Sequence, residues 1–264
     1  MASRTKQKEE ARARRLAEEQ AHAERARRQR RVRMLAGVVL AAVAVIAVAI
    51  AISSSGGGTT KASPAAFKSD ASTVDSTLAG IPQTGTTLGS PSAKVTVTEY
   101  GDLQCPICRD FALGAENQLI SNEVKAGKVK LVYRSLETAT GNSPNPNIFG
   151  TQQAAAYAAG NQAKAWNYIL VFYHAQGQEG TAYVNQGFLN GIAAAIPGLN
   201  YSKWSTQSGS SALTSQVTSE EQQAANRGFN STPTIVVQGP KGAAQPIVGN
   251  TDYGTLQSAI KSVS

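Results

Sequence analysis

Cysteine, histidine, methionine and tryptophan each occur only twice in the 264 residues. Two cysteines exclude a small scaffold held together by several disulfides. Proline (10) and glycine (24) are no more frequent than in ordinary globular protein, and 41% of residues are hydrophobic, which excludes a collagenous or wholly disordered chain. Long apolar runs are also scarce: there is one, so a multi-span membrane protein is excluded. Net charge is scarce over most of the chain as well. The formal total is +8, but residues 1–33 hold 12 Lys/Arg against 5 Asp/Glu, leaving 13 against 12 for the rest. The basicity therefore belongs to one short tail.

The single apolar run is Met34 to Ile52, nineteen residues with no charge. At a helical rise of about 1.5 Å per residue it matches the roughly 30 Å hydrocarbon core and is expected to span a membrane. A buried core helix rarely runs so long without a polar residue. A secretory signal peptide is the rival reading, with small-x-small sites at Ala47-Val48-Ala49 and Ala49-Ile50-Ala51. A 33-residue preceding region and a long apolar run favour an uncleaved anchor. Arg25, Arg27, Arg28, Arg30, Arg31 and Arg33 flank one side and no charge flanks the other, so the tail is expected in the cytoplasm and the C-terminal 200 residues outside it. Glu10 to Arg14 and Glu24 to Arg28 are pairs suited to a solvated helix near anionic lipid. The tail has no interleaved aromatics, so no nucleic-acid partner is expected.

The expected organisation is a basic tail (1–33), an anchor (34–52), a Ser/Gly/Thr-rich tether (53–65) and a folded domain (66–264). In that domain Lys94 to Tyr100 (KVTVTEY) alternates with period two and reads as a strand. Gly101 to Gln104 forms a turn, and Cys105-Pro106-Ile107-Cys108 opens an amphipathic helix carrying Phe111, Leu113 and Leu119 to about Lys125. Val129 to Arg134 is a second strand, parallel to the first.

Both cysteines thus fall in one Cys-x-x-Cys at a helix start. A purely structural disulfide is a weak reading, because so short a loop yields only roughly 2 kcal/mol before strain. A zinc site is weaker still: four N/S ligands are needed, and His22 lies across the expected membrane from His174. Redox chemistry suits the position. Unpaired N–H groups and a positive partial charge lower a thiol's pKa at a helix N-terminus, which marks Cys105 as the nucleophile. Cys108, one turn further in, is placed to resolve a mixed disulfide. Pro106 costs no helical hydrogen bond in the first turn. No metal and no cofactor is expected.

The segment Glu99-Tyr100-Gly101-Asp102-Leu103-Gln104-Cys105-Pro106-Ile107-Cys108 resembles the active-site segment of DsbA-like thiol-disulfide oxidoreductases of the thioredoxin superfamily. Leu88-Gly89-Ser90-Pro91 resembles that family's lead-in to its first strand, and Gly228 to Val237 resembles its cis-proline loop. The resemblance covers roughly residues 66–264. It implies an α/β thioredoxin-like fold with an inserted helical domain at about 140–226, a Cys105–Cys108 disulfide, and a cis Pro233 beside it. It further implies that Thr232 offers its backbone to an extended substrate, with its hydroxyl in reach of a cysteine sulfur. Secreted or cell-envelope protein thiols would be the substrates, and a quinone-linked membrane partner of the DsbB or vitamin K epoxide reductase type the reoxidant.

Glu99 shares a strand face with Val95 and Val97, so if that face is core it is a buried carboxyl able to relay a proton to Cys108. If the strand ends early, it reaches solvent and pairs with Lys130. Asp102 is expected to be a solvated turn residue. Strongly oxidising enterobacterial members carry Pro-His between the cysteines, where this chain has Pro106-Ile107; Ile107 offers neither hydrogen bond nor charge to a thiolate, which implies a milder oxidant. An extracytoplasmic reductase or isomerase is the enzymatic alternative, and a non-catalytic client-binding or chaperone module the alternative of another class. Trp166, Ile169, Leu170 and Tyr173 share one helical face and read as core; Tyr183 to Ile196 and Ser210 to Asn226 read as further helices, with His174 on the surface. Thr234 to Gln238 and Gln245 to Val248 read as a hairpin, followed by an amphipathic helix capped by Thr251 or Asp252.

Overall fold

A computed structural model describes residues 63–264. The tail, the span expected at Met34 to Ile52 and nearly all of the tether lie outside these residues. Among the described residues no helix is long and apolar enough to cross a membrane.

Alternation builds the centre of the sheet. In β3 (Val95–Gly101) Val95, Val97 and Glu99 turn inward, and in β4 (Val129–Ser135) Val129, Leu131 and Tyr133 do so. The strands pair in parallel, Glu99 opposite Tyr133, because the chain crosses between them through helix α2. That helix runs from Pro106 to Val124 and includes two π turns, Ala112–Glu116 and Ile120–Val124. On the other side of β3 lies antiparallel β5 (Thr234–Gly239), with Tyr100 opposite Thr234. Short strands extend both edges. A hairpin of β1 (Gln83–Thr84) and β2 (Thr87–Leu88) joins β4, while β6 (Gly242–Ala243) and β7 (Ile247–Val248) join β5. The sheet order is β1-β2-β4-β3-β5-β6.

Between β4 and β5 the chain forms helices α3 (Ile148–Gly160), α4 (Ala165–His174), α5 (Gln186–Ala195), α6 (Tyr201–Ser208) and α7 (Ser211–Asn226). Every residue of α4 from Ala165 to Tyr173 is buried, so this helix is apolar all round and sits at the centre of the helical layer. The N-terminal helix α1 (Pro64–Leu78), capped by the Ser63 hydroxyl, lays Phe67, Ala71, Val74 and Leu78 against α4 and α5. The last helix α8 (Tyr253–Val263) is capped by Asp252 and packs on β5 and α2.

Buried polar ties join the helical layer to the sheet. Trp166, fully buried, donates its indole N–H to the Thr86 carbonyl at 2.9 Å, fixing the β1–β2 hairpin to α4. At the end of β4, buried Glu220 of α7 accepts from Arg134 (2.6 Å), the Ser135 amide (2.9 Å) and the Tyr157 hydroxyl of α3 (2.5 Å). With the Gln216 side chain as a fourth donor at 3.0 Å, this buried carboxylate is satisfied rather than stranded. These contacts fix where α3 and α4 meet the end of β3, where the cysteines lie.

The helix expected at Tyr183 begins later, at Gln186, because the Asn185 side chain caps it by accepting from Phe188 N at 3.0 Å. Helix α6 and the β1–β2 hairpin were not foreseen. The aromatics of α4 are core, and His174 is exposed at its end.

Candidate active site

Strand β3 ends at Gly101, and four residues later Cys105 is the N-cap of α2, with extended backbone and its sulfur 3.4 Å from the Cys108 nitrogen whose N–H it accepts. Pro106 occupies the first helical position. Both sulfurs are free thiols, so this is the dithiol form of the pair expected as a disulfide. Their surroundings differ. Cys105 opens into a groove of about 570 Å³ lined also by Ile107, Glu137, Thr138, Asn230 and Thr232, whereas Cys108 is fully buried behind it.

The Thr232–Pro233 peptide is cis and places the Thr232 carbonyl 3.6 Å from the Cys105 sulfur. Ile107 stands at the rim, 42% exposed, and adds no polar group.

These differences separate the two thiols electrostatically. The hydrogen bond from the Cys108 thiol, with help from the Thr232 hydroxyl and the Cys108 and Ile107 amides, holds Cys105 down to about 6 despite partial burial. Burial, with the thiol proton committed to Cys105, pushes Cys108 well above a free thiol. Cys105 is thus the sulfur that ionises near neutral pH.

Glu99 is 1% exposed, behind the cysteines, and burial raises its carboxyl to about 8. It does not reach Lys130. Gly101 is required beside it: a Cβ there would come within 3.0 Å of Glu99 Oε1 and 2.8 Å of the Tyr133 ring.

Asp102, expected to be solvated, is fully buried. Its Oδ1 accepts from the Gln104 amide (2.9 Å), the Thr140 hydroxyl (2.6 Å) and the Gln152 side chain (3.3 Å), and its Oδ2 accepts from the amides of Thr138 (3.0 Å) and Thr140 (2.8 Å). Its carbonyl takes the Cys105 N–H at 2.9 Å. Thr138, held this way, meets the Thr232 hydroxyl at 2.5 Å, and Gln176 donates to the Leu103 and Cys105 carbonyls at 2.8 and 3.1 Å. The active-site turn, the loop after β4 and the cis-proline loop thereby form one connected unit.

A family model described as thioredoxin matches residues 82–262. The chain belongs to the thioredoxin family. A curated relative, the probable disulfide bond formation protein D of Bacillus anthracis, is 22% identical over 174 residues, covering 66% of this chain and 75% of the relative. Among solved structures, oxidised BdbD of Bacillus subtilis matches with a TM-score of 0.58 at 20% identity, covering 69% of this chain and 95% of that one. Pseudomonas aeruginosa DsbA2 matches with a TM-score of 0.53 at 24% identity, covering 70% and 97%. The fold is that of DsbA-type members of the thioredoxin family, helical insertion included.

In this thioredoxin-family chain, the structure brings Glu99, Cys105, Pro106, Ile107, Cys108, Thr232 and Pro233 to one place. Asp102, Thr138, Gln176 and buried Glu116 join them without having been foreseen. Only Glu116 left a usable trace in the sequence: it falls four residues after Ala112 and three before Leu119, on the buried face of α2. Among the described residues no cluster of His, Cys, Asp or Glu has the makings of a metal site.

Because the Cys105 value lies below that of a free thiol, the ionised sulfur stabilises the dithiol in full above about pH 8.5. That contribution disappears as pH falls through about 6. Alkylation of the dithiol protein followed against pH is expected to rise with a midpoint near 6 at Cys105, with Cys108 unmodified. A midpoint above about 8 would contradict this electrostatic assignment.

Proposed function

We propose that this DsbA-type thiol-disulfide oxidoreductase works as an oxidase, introducing disulfides into secreted or cell-envelope proteins from a membrane-tethered position outside the cytoplasm. The observation that carries the reading is the asymmetry of the two sulfurs. An ionised Cys105 and a protonated, buried Cys108 stabilise the dithiol product, and a stabilised dithiol makes the disulfide form a better oxidant.

In the reaction, a substrate thiolate attacks the Cys105 sulfur of the disulfide form. The S–S bond breaks, Cys108 leaves with the electron pair, and Glu99 gives it a proton. A second substrate thiolate then attacks the substrate sulfur of the mixed disulfide and releases Cys105 as a thiolate. The substrate is oxidised by two electrons, and the enzyme ends in the dithiol form. The cis-proline loop presents the Thr232 backbone to the substrate segment beside Cys105, in the manner of strand addition. Two electrons then pass to a quinone-linked membrane partner of the DsbB or vitamin K epoxide reductase type. The name of the Bacillus anthracis relative, which refers to disulfide bond formation, supports the direction. Tethering rests on the apolar run Met34 to Ile52 and its arginine flank. Ile107 favours a milder potential and keeps a reductase or isomerase as the second reading.

Replacing Cys108 by Ser is expected to trap client proteins as mixed disulfides at Cys105, and alkylation of the wild type in intact cells is expected to find the pair mostly oxidised. A pair found mostly as dithiol would favour the reductase, and absence of adducts a binding module. Protease added to cells stripped of their wall is expected to cut at Gly56 to Thr60, and protection there would overturn the orientation.

A further inference from the structure

Behind Cys108 lies a second acid that the exchange chemistry above does not use. Glu116, on the first π turn of α2, is fully buried and faces Glu99 across the interior of the domain. The groups around the pair are Cys105 and Cys108 from α2, Tyr133 from β4, Tyr173 from α4 and Ile235 from β5, opposite Glu99 in the sheet. None of these is a cation. Among the described residues no N–H or O–H donates to any of the four carboxyl oxygens. Yet the two carboxyls approach within hydrogen-bonding range of each other. Two ionised carboxylates would repel there, with no positive charge to offset them. The donor that reconciles the approach with the absence of any other donor is a proton on one of the two acids.

We propose that Glu116 is a positioning residue that stays a neutral carboxylic acid throughout the redox cycle and donates its O–H to Glu99, so that only the Glu99 proton moves to and from Cys108. The assignment of the fixed proton to Glu116 follows from location. Glu99 is the acid that feels the Cys105 charge, while Glu116 lies deeper along α2. Their contact acts in opposite senses: it eases ionisation of Glu99 against its burial and makes ionisation of Glu116 harder.

The proton balance closes. When the Cys105–Cys108 bond breaks, Cys108 takes the electron pair, the Glu99 proton passes to it, and Glu99 is left as a carboxylate. The Glu116 O–H then supports that carboxylate through a charge-assisted bond until solvent returns a proton. Without this donor, a carboxylate would be stranded in the core, and the proton would be released more slowly.

The inference rests on the proposed role of Glu99 toward Cys108, and the test separates the two. Carbon-13 NMR of the side-chain carboxyls in the full-length dithiol protein is expected to show Glu99 titrating near 8 and Glu116 unresponsive from pH 4 to beyond that midpoint. Glu116→Leu removes the donor; it is expected to tighten Glu99's hold on its proton about tenfold and to slow exchange with a small disulfide at pH 7 by a similar factor. Glu116→Gln, which keeps an N–H donor, is expected to restore both to within about threefold. Titration of Glu116 as an ordinary carboxylate, or an unmoved Glu99 midpoint in a folded Glu116→Leu protein, would overturn the proposal. If Glu116→Leu does not fold, the wild-type titration decides by itself. Glu116→Leu that moves the Glu99 midpoint but leaves exchange unchanged would overturn the role of Glu99 toward Cys108, and with it the positioning role of Glu116.

Discussion

The buried carboxylate of Asp102 is the contact on which the site depends. Five hydrogen bonds converge on its two oxygens, from the turn before Cys105, from the loop after β4 and from α3. Removing the carboxylate would strand the amides of Gln104, Thr138 and Thr140, at a cost of about 1–3 kcal/mol for each buried donor. Its reach extends further. Thr138, fixed by Asp102, carries the hydroxyl that meets Thr232, and Thr232 stands over Cys105. The position of the cis-proline loop relative to the nucleophile thus follows from a carboxylate one turn away in sequence.

Held in that frame, the two sulfurs experience opposite environments. Cys105 sits at a helix N-terminus and is held down to about 6, whereas Cys108 lies in the core with two acids and two tyrosines and stays protonated. At pH 7 the Cys105 shift is worth roughly 1 kcal/mol to the dithiol after discounting for partial exposure of the sulfur, or roughly 20–30 mV for a two-electron couple. Thioredoxin and the enterobacterial DsbA differ by about 150 mV. The Cys108 thiol, Thr232 and the first-turn amides therefore account for a modest part of that range, and the Ile107 side chain, apolar and at the rim, adds nothing to it. The proposed oxidase is accordingly an intermediate oxidant rather than an extreme one.

Local pattern made the central unit legible. Period-two alternation gave β3 and β4, the Cys-Pro-Ile-Cys helix start gave α2, and the placement of Glu99 on the Val95–Val97 face carried its burial. What escaped was non-local. Asp102 reads as a turn residue because its one local partner is the Gln104 amide while the others lie 36 to 50 positions away, and nothing near it in the chain says that its turn is covered. Thr138 is invisible for the same reason, being 94 positions from the hydroxyl it meets. Helix α6 buries only Trp204, too little for a hydrophobic period, and the β1–β2 hairpin consists of two-residue strands that exist because Trp166 holds them. The expected span and its tail lie outside the described residues and rest on composition alone.

The central claim, that the site favours the dithiol and so drives oxidation of its substrates, is tested most directly by the reduction potential of the Cys105–Cys108 pair in a glutathione buffer. The account predicts a value between those of thioredoxin, about −270 mV, and DsbA, about −120 mV. A value at or below that of thioredoxin would contradict it.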